Sequence, residues 1–139
     1  MAVANDKGNQ IFIFGGHTTP QVRLNDTWIL RVNDLQWERA RGEEALTPKN
    51  QLSPTGAPAP RANASVCLVD NKAVVFGGHG GIGYARMSFN DMYLFDFETH
   101  VWEKIEYENP PPEGRGGHTS FSLGRKVYIY GGWNQENQF

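Results

Sequence analysis

At 139 residues, 39% of them apolar and 20% charged, the chain has the size and composition of one globular domain rather than a disordered segment. A net charge of −2 carried by scattered residues excludes the basic stripe that a nucleic-acid backbone or an anionic membrane surface requires. Short apolar runs exclude a spanning helix, the opening "MAVANDKGNQ" does not read as a signal peptide, and Cys67, the single cysteine, can form no disulfide within the chain. The expectation is a cytoplasmic protein, of cytosol or cytoskeleton, with neither nucleic acid nor membrane as partner.

In chain order, residues 1–40 open with "QIFIFGG", an apolar run closed by Gly15-Gly16, followed by "NDTWIL" and a run containing Trp37. Residues 41–60 are rich in Pro, Ser and Thr and cannot form a core; they read as a loop insert. The insert makes Trp37 to Arg61 24 residues, against 13 from Trp102 to Arg115, and offers Thr47, Ser53 and Thr55 as docking or phosphorylation positions. Residues 61–108 hold four β-type runs, "ASVCLV", "AVVFGG", "MYLFDF" and "VWEKI", separated by turn residues. Residues 109–139 hold two more and stop after "KVYIYGGWNQENQF". No stretch has helical periodicity.

The runs repeat. Gly15-Gly16, Gly77-Gly78 and Gly131-Gly132 are 62 and 54 residues apart. Asn25-Asp26 and Asn90-Asp91 follow the first two pairs, an aromatic comes three residues after each Asn (Trp28, Tyr93), and a tryptophan nine residues after that (Trp37, Trp102). Arg61 and Arg115 each lie 16 residues before a glycine pair. Runs such as Ile11-Phe12-Ile13-Phe14 have no polar face, so both faces must be covered by other sheets. Four antiparallel strands per unit of about 50 residues, stacked face to face, describe a β-propeller blade. Glycine tolerates positive φ and close backbone approach, so a Gly-Gly lets the chain leave the crowded inner part of a blade.

These motifs, the apolar run with Gly-Gly, the aromatic, the spaced Trp and the preceding Arg, resemble the Kelch repeat over nearly the whole chain outside the insert. Two positions depart from it: Trp28 stands where the family usually has Tyr, and Arg31 stands where the second repeat has Asp96. The resemblance implies an all-β, Kelch-type propeller segment of four-stranded antiparallel blades. It also implies that the second and third strands of a blade join at one end, where partners often dock on the loops and around the central channel. By strand count the segment is incomplete, about two and a quarter blades: strands two to four of a first blade in 1–40, a complete second blade in 61–108, and the first half of a third in 109–139. Phe139 stands where Leu24 and Phe89 stand, just before Asn-Asp, and the expectation is a piece of a longer propeller whose remaining blades come from further chain or from an assembly. The apolar faces around Phe12, Phe14, Tyr128 and Tyr130 are expected to be exposed.

The glycine loops differ between repeats, so Arg23, Tyr84, Arg86 and Trp133 are free of framework duty and are candidate partner contacts. Arg61 and Arg115 either pair with loop carbonyls and an acid such as Asp26 or Asp91, or receive an acidic partner peptide near the channel. Trp37 and Trp102 read as packing between blades. His17 and His79 share a repeat position and are expected to be spread around a ring, not converging on a metal; His118 begins an inner strand, and His100 is expected in solvent. Copper-radical oxidases also use Kelch-type propellers, but Cys67 sits inside an apolar run and no copper-ligand set is visible. "HGGIG" has no following helix to make a phosphate site. No cofactor and no catalytic residue is expected. The reading is a non-catalytic interaction or scaffold module; the alternatives are a regulatory or substrate-recruiting Kelch segment of an enzyme such as a phosphatase or ubiquitin ligase, and a structural component of a cytoskeletal or ciliary complex.

Overall fold

The computed structural model describes residues 1–40, 56–81 and 86–139, and every regular element among them is a strand. The first sheet contains β1 (Ala2–Ala4), β2 (Gln10–Thr19), β3 (Val22–Arg31) and β4 (Gln36–Arg39), in that spatial order. The second contains β5 (Ser65–Val69), β6 (Lys72–Phe76), β9 (Met92–Asp96) and β10 (Trp102–Ile105), also in sequence order. Between β6 and β9 the chain inserts a two-stranded ribbon, β7 (His79–Gly80) with β8 (Met87–Ser88). A hairpin of β11 (Thr119–Leu123) and β12 (Lys126–Tyr130) forms the third sheet. All pairings are antiparallel meanders, the organisation of propeller blades.

The strand count corrects the expectation for residues 1–40. The first sheet has four strands, because Ala2, Val3 and Ala4 pair with Ile13, Phe12 and Ile11. The strand is three residues long and lacks the arginine that opens the other repeats, so motif matching passes over it. Asn5 makes it possible: its Oδ1 accepts the backbone N–H groups of Asn9 and Gln10, both at 3.1 Å, and turns the chain back into β2. Between β5 and β6 the turn is Asp70-Asn71, both at positive φ (48° and 57°), the two-residue geometry whose twist matches flanking strands.

The core lies between the first two sheets. Phe12, Phe14 and Ile29 of the first face Val75, Phe95 and Trp102 of the second, and all are buried. Trp102 bridges them: its ring lies 5.7 Å from Phe12 and 4.9 Å from Phe14, and its Nε1 donates to Thr27 Oγ1 at 3.2 Å. Phe12 and Phe14 are therefore covered, against expectation, because a tryptophan from the next blade seals them. Tyr128 and Tyr130 are 42% and 78% exposed, and Trp37, the counterpart of Trp102, is 54% exposed. β6 is buried along nearly its whole length, since it has a sheet on either side. His100 corrects a second expectation: it is partly buried, stacked on Phe95 at 5.8 Å, and its backbone adopts φ 57° like Leu35 in the equivalent turn of the first sheet.

Adjacent blades are stitched at the glycine pairs. Gly16 N–H donates to Arg61 O at 2.9 Å and Gly78 N–H to Arg115 O at 2.7 Å, one blade apart, while Arg61 and Arg115 N–H donate to Leu24 O and Phe89 O. Gly77 (φ 66°) and Gly78 (φ 97°) leave no room for a side chain: a Cβ would lie 2.7 Å from Arg115 O and 2.8 Å from Ala64 Cβ, respectively. Gly15, Gly131 and Gly132 share the positive φ; a Cβ on Gly15 would press on Arg61 O of the next blade, and one on Gly132 on Gly116 O and His118 of its own.

Candidate docking face

The connections from second to third strand, starting at Gly15-Gly16, Gly77-Gly78 and Gly131-Gly132, gather at one end of the sheets. After each of the last two pairs, the chain bonds back to the strand entering its own blade. His79 pairs with Ala62, and Trp133 with Gly116, through reciprocal backbone hydrogen bonds of 2.8–3.0 Å. His79 and Trp133 are thus held at their backbones by the strand entering their own blade.

Arg61 belongs to the framework of this end. It is fully buried, forms a two-pronged pair with Asp91 (Nη1–Oδ1 2.6 Å, Nη2–Oδ2 3.0 Å), donates to Gly77 O and Ala59 O, and lies 4.0 Å from the Phe89 ring. No partner can reach it, so its candidacy as a contact residue is withdrawn. Arg115 repeats the arrangement through Gly131 O, Glu113 O and the ring of Phe139 at 3.6 Å. No salt bridge to it is found among the described residues, and it is half-buried.

Trp133 remains half in solvent at this end, at 47% exposure, with one face occupied by the His79 ring at 4.2 Å. His79 and Trp133 hold the same repeat position in adjacent blades and touch across the seam. Ser88 Oγ donates to Gln135 Oε1 at 3.1 Å, and its one proton is thereby used. His79 Nδ1, 3.1 Å from the same oxygen, must then carry a proton and donate, leaving Nε2 bare, buried and unpartnered among the described residues. Burial, and then the charges of Arg23 and Arg86, hold the His79 pKa below its usual value, so the ring is neutral at neutral pH. Both guanidinium groups thus act on the ring as positive charges within electrostatic range. Arg23 is anchored through Nη1 to Pro20 O at 2.8 Å, and Arg86 is exposed on the strand side of β8. Tyr84, like Thr47, Ser53 and Thr55, lies outside the described residues. His17 is exposed.

The arrangement presents a fixed indole face and a serine–glutamine pair, with the positive charges of Arg23 and Arg86 acting on the His79 ring between them. Sequence reasoning named His79 as a loop or packing residue but missed its pairing with Trp133, and missed Ser88 and Gln135; the available signal was that His79 and Trp133 each directly follow a Gly-Gly in adjacent repeats. Ser65 and His118 also pair, Oγ to Nε2 at 2.7 Å, but both are buried between the second and third sheets, where His118 packs edge-on against Phe76. They are a seam contact rather than a nucleophile and base open to substrate.

Antiparallel sheets, two of them four-stranded, stitched together through glycine pairs, with Trp102 of the second sealing the first, define a segment of a β-propeller. The chain belongs to the Kelch-repeat family: the model described as "KLHDC2/KLHL20/DRC7 Kelch-repeats domain" matches residues 1–139. Among similar proteins, tip elongation aberrant protein 1 of Schizosaccharomyces pombe is 33% identical over 125 residues, 90% of this chain and 10% of its own length. The flagellar outer-arm dynein alpha chain of Chlamydomonas reinhardtii is 35% identical over 138 residues, 94% of this chain and 3% of its own. Kelch domain-containing protein 3 of Bos taurus is 27% identical over 139 residues, 92% of this chain and 33% of its own. The chain spans a third or less of the length of these relatives. Kelch-repeat domains are in general non-catalytic and bind other proteins.

Proposed function

We propose that this chain is a non-catalytic docking module that binds an acidic segment of another protein at the end carrying the glycine loops. Trp133 serves as anchor, Arg23 and Arg86 as the charged flank, with Tyr84 adjoining in sequence. The observation that carries this is Trp133: half-exposed, yet immobilised on one face by His79 and at its backbone by Gly116, it is an aromatic already ordered before a partner arrives. The units 1–40, 61–108 and 109–139 act as successive blades, and 41–60 as a loop that tolerates length.

The setting is cytoplasmic and cytoskeletal. Similarity to a tip elongation protein and to a flagellar dynein chain supports that setting, and also supports a second reading, a structural spacer in a microtubule-based assembly. The test is quantitative affinity isolation with the wild type, Trp133→Ala and Arg86→Glu, each checked for an unchanged unfolding midpoint. A stoichiometric partner lost with both variants supports docking here. A partner retained by both sinks it, and favours the spacer.

A further inference from the structure

At the opposite end of the sheets, where first strands turn into second and third into fourth, a polar cleft of about 310 Å3 opens between the first two blades. Its walls are the turn from β1 to β2 and the two turns of the second blade, at Asn71 and at 97–100. The amide orientations in it are fixed by groups that can only donate. Asn5 Oδ1 accepts two backbone N–H groups, so its Nδ2 must donate, to Asn9 Oδ1 at 2.9 Å and Gln10 Oε1 at 3.2 Å. Asn71 Oδ1 accepts the backbone N–H of Asp6 at 3.2 Å, across the seam between blades.

Three side-chain carbonyl oxygens are thereby engaged with the fold. The NH2 groups of Asn9, Gln10 and Asn71 remain, making no hydrogen bond within the described residues. Lys7 and Glu98, both exposed, bring one charge of each sign to the same cleft.

We infer that this cleft binds an extended polypeptide segment through its main chain. Carbonyl oxygens of the peptide accept from the three amide groups, and a main-chain N–H donates to Glu98. The chemistry selects against the alternatives. Lys7 and Glu98 offset one another, so no net charge draws an anion, while each hydroxyl of a sugar brings a proton that needs an acceptor, in a cleft with donors in excess. A peptide carbonyl brings no proton. This face is independent of the one anchored by Trp133, so a chain using both would join two proteins.

The experiment is a titration of the full 139-residue chain with acetyl-Ser-Gly-Ser-Gly-amide, read on the side-chain amide signals of Asn9, Gln10 and Asn71 by NMR. Asn71→Asp keeps the acceptor for Asp6 N–H and replaces only the free donor. The expected result is selective, saturable shifts at these amides, weakened about fivefold in Asn71→Asp, the weight of one lost hydrogen bond, and unaffected by Trp133→Ala. Absence of selective shifts, shifts with maltose but not the peptide, or equal binding by Asn71→Asp overturns the inference, and none of these outcomes bears on the docking face.

Discussion

His118 illustrates how one residue's place at a seam becomes a property of the whole fold. Burial first, and the nearby Arg115 charge second, push its pKa down to about 4 from the usual 6.5, while Ser65 holds Nε2. A histidine whose folded pKa is depressed takes up its proton more readily when unfolded. Its contribution to stability is therefore whole above about 6.5 and is lost as pH falls from there through about 4. His79 shifts in the same direction. We expect the melting temperature to fall between pH 6.5 and 4, with a shallower fall in His118→Gln, whose amide keeps a partner for Ser65. Thermal unfolding of both forms across that range checks this; identical slopes would show that the seam does not sense the ring's charge. Arg61 gives the complementary lesson in legibility. The spacing to Gly77 and the acid at Asp91 were both visible in sequence, and so was the choice between framework and contact, but only burial decides between them.

At the scale of elements, the aromatic positions carry the stability, and the two equivalent tryptophans separate intrinsic from contextual value. Trp102 has four aromatic neighbours and a hydrogen bond to Thr27; Trp37 is mostly in solvent. Truncating a buried tryptophan leaves a large cavity, so Trp102→Ala should cost roughly 3–5 kcal/mol, whereas Trp37→Ala, like other exposed changes, should stay within about 1 kcal/mol. Denaturant midpoints for the two variants test the point, and comparable losses would contradict the packing described. Sequence made both residues look alike because a repeat motif reports register, not what lies across the interface. The same limit hid β1, whose pairing depends on Asn5 rather than on any repeat residue. It also hid the β7–β8 ribbon, because two-residue strands leave no periodicity to read. Substitution at a turn is legible in retrospect: Arg31 stands where Asp96 caps the second blade's outer turn through the Glu98 and Thr99 N–H groups, and in the first blade Asp34 pairs with Arg31 and accepts Gln36 N–H instead.

Across the molecule, the sheets are unequally supported. The first two share an aromatic core, and the second is covered on both faces. The third turns Ser120, Ser122, Val127 and Ile129 to its half-buried face, with Ser122 Oγ donating to Leu68 O at 2.6 Å, and turns Phe121, Leu123, Tyr128 and Tyr130 outward. Phe121 and Tyr128 stack on each other at 5.0 Å, which shields little of either ring. Local stability follows buried apolar contact, so the backbone amides of β11 and β12 should exchange with solvent deuterium well ahead of those of β6 and β9, by roughly two orders of magnitude if the opening energies differ by about 3 kcal/mol. The exposed aromatic face should also make the isolated chain associate as concentration rises. Tyr130→Glu sits on that face, turned outward and 78% exposed, and places a charge where apolar contact would form. It should reduce association measured by sedimentation while leaving the exchange order unchanged. If exchange is uniform across all three sheets, the chain unfolds as one cooperative unit and the seam at Ser65, His118 and Ser122 is stronger than its chemistry suggests. If Tyr130→Glu leaves association untouched, the self-contact lies elsewhere, and Trp37, the other uncovered aromatic of the blade faces, is the next residue to change.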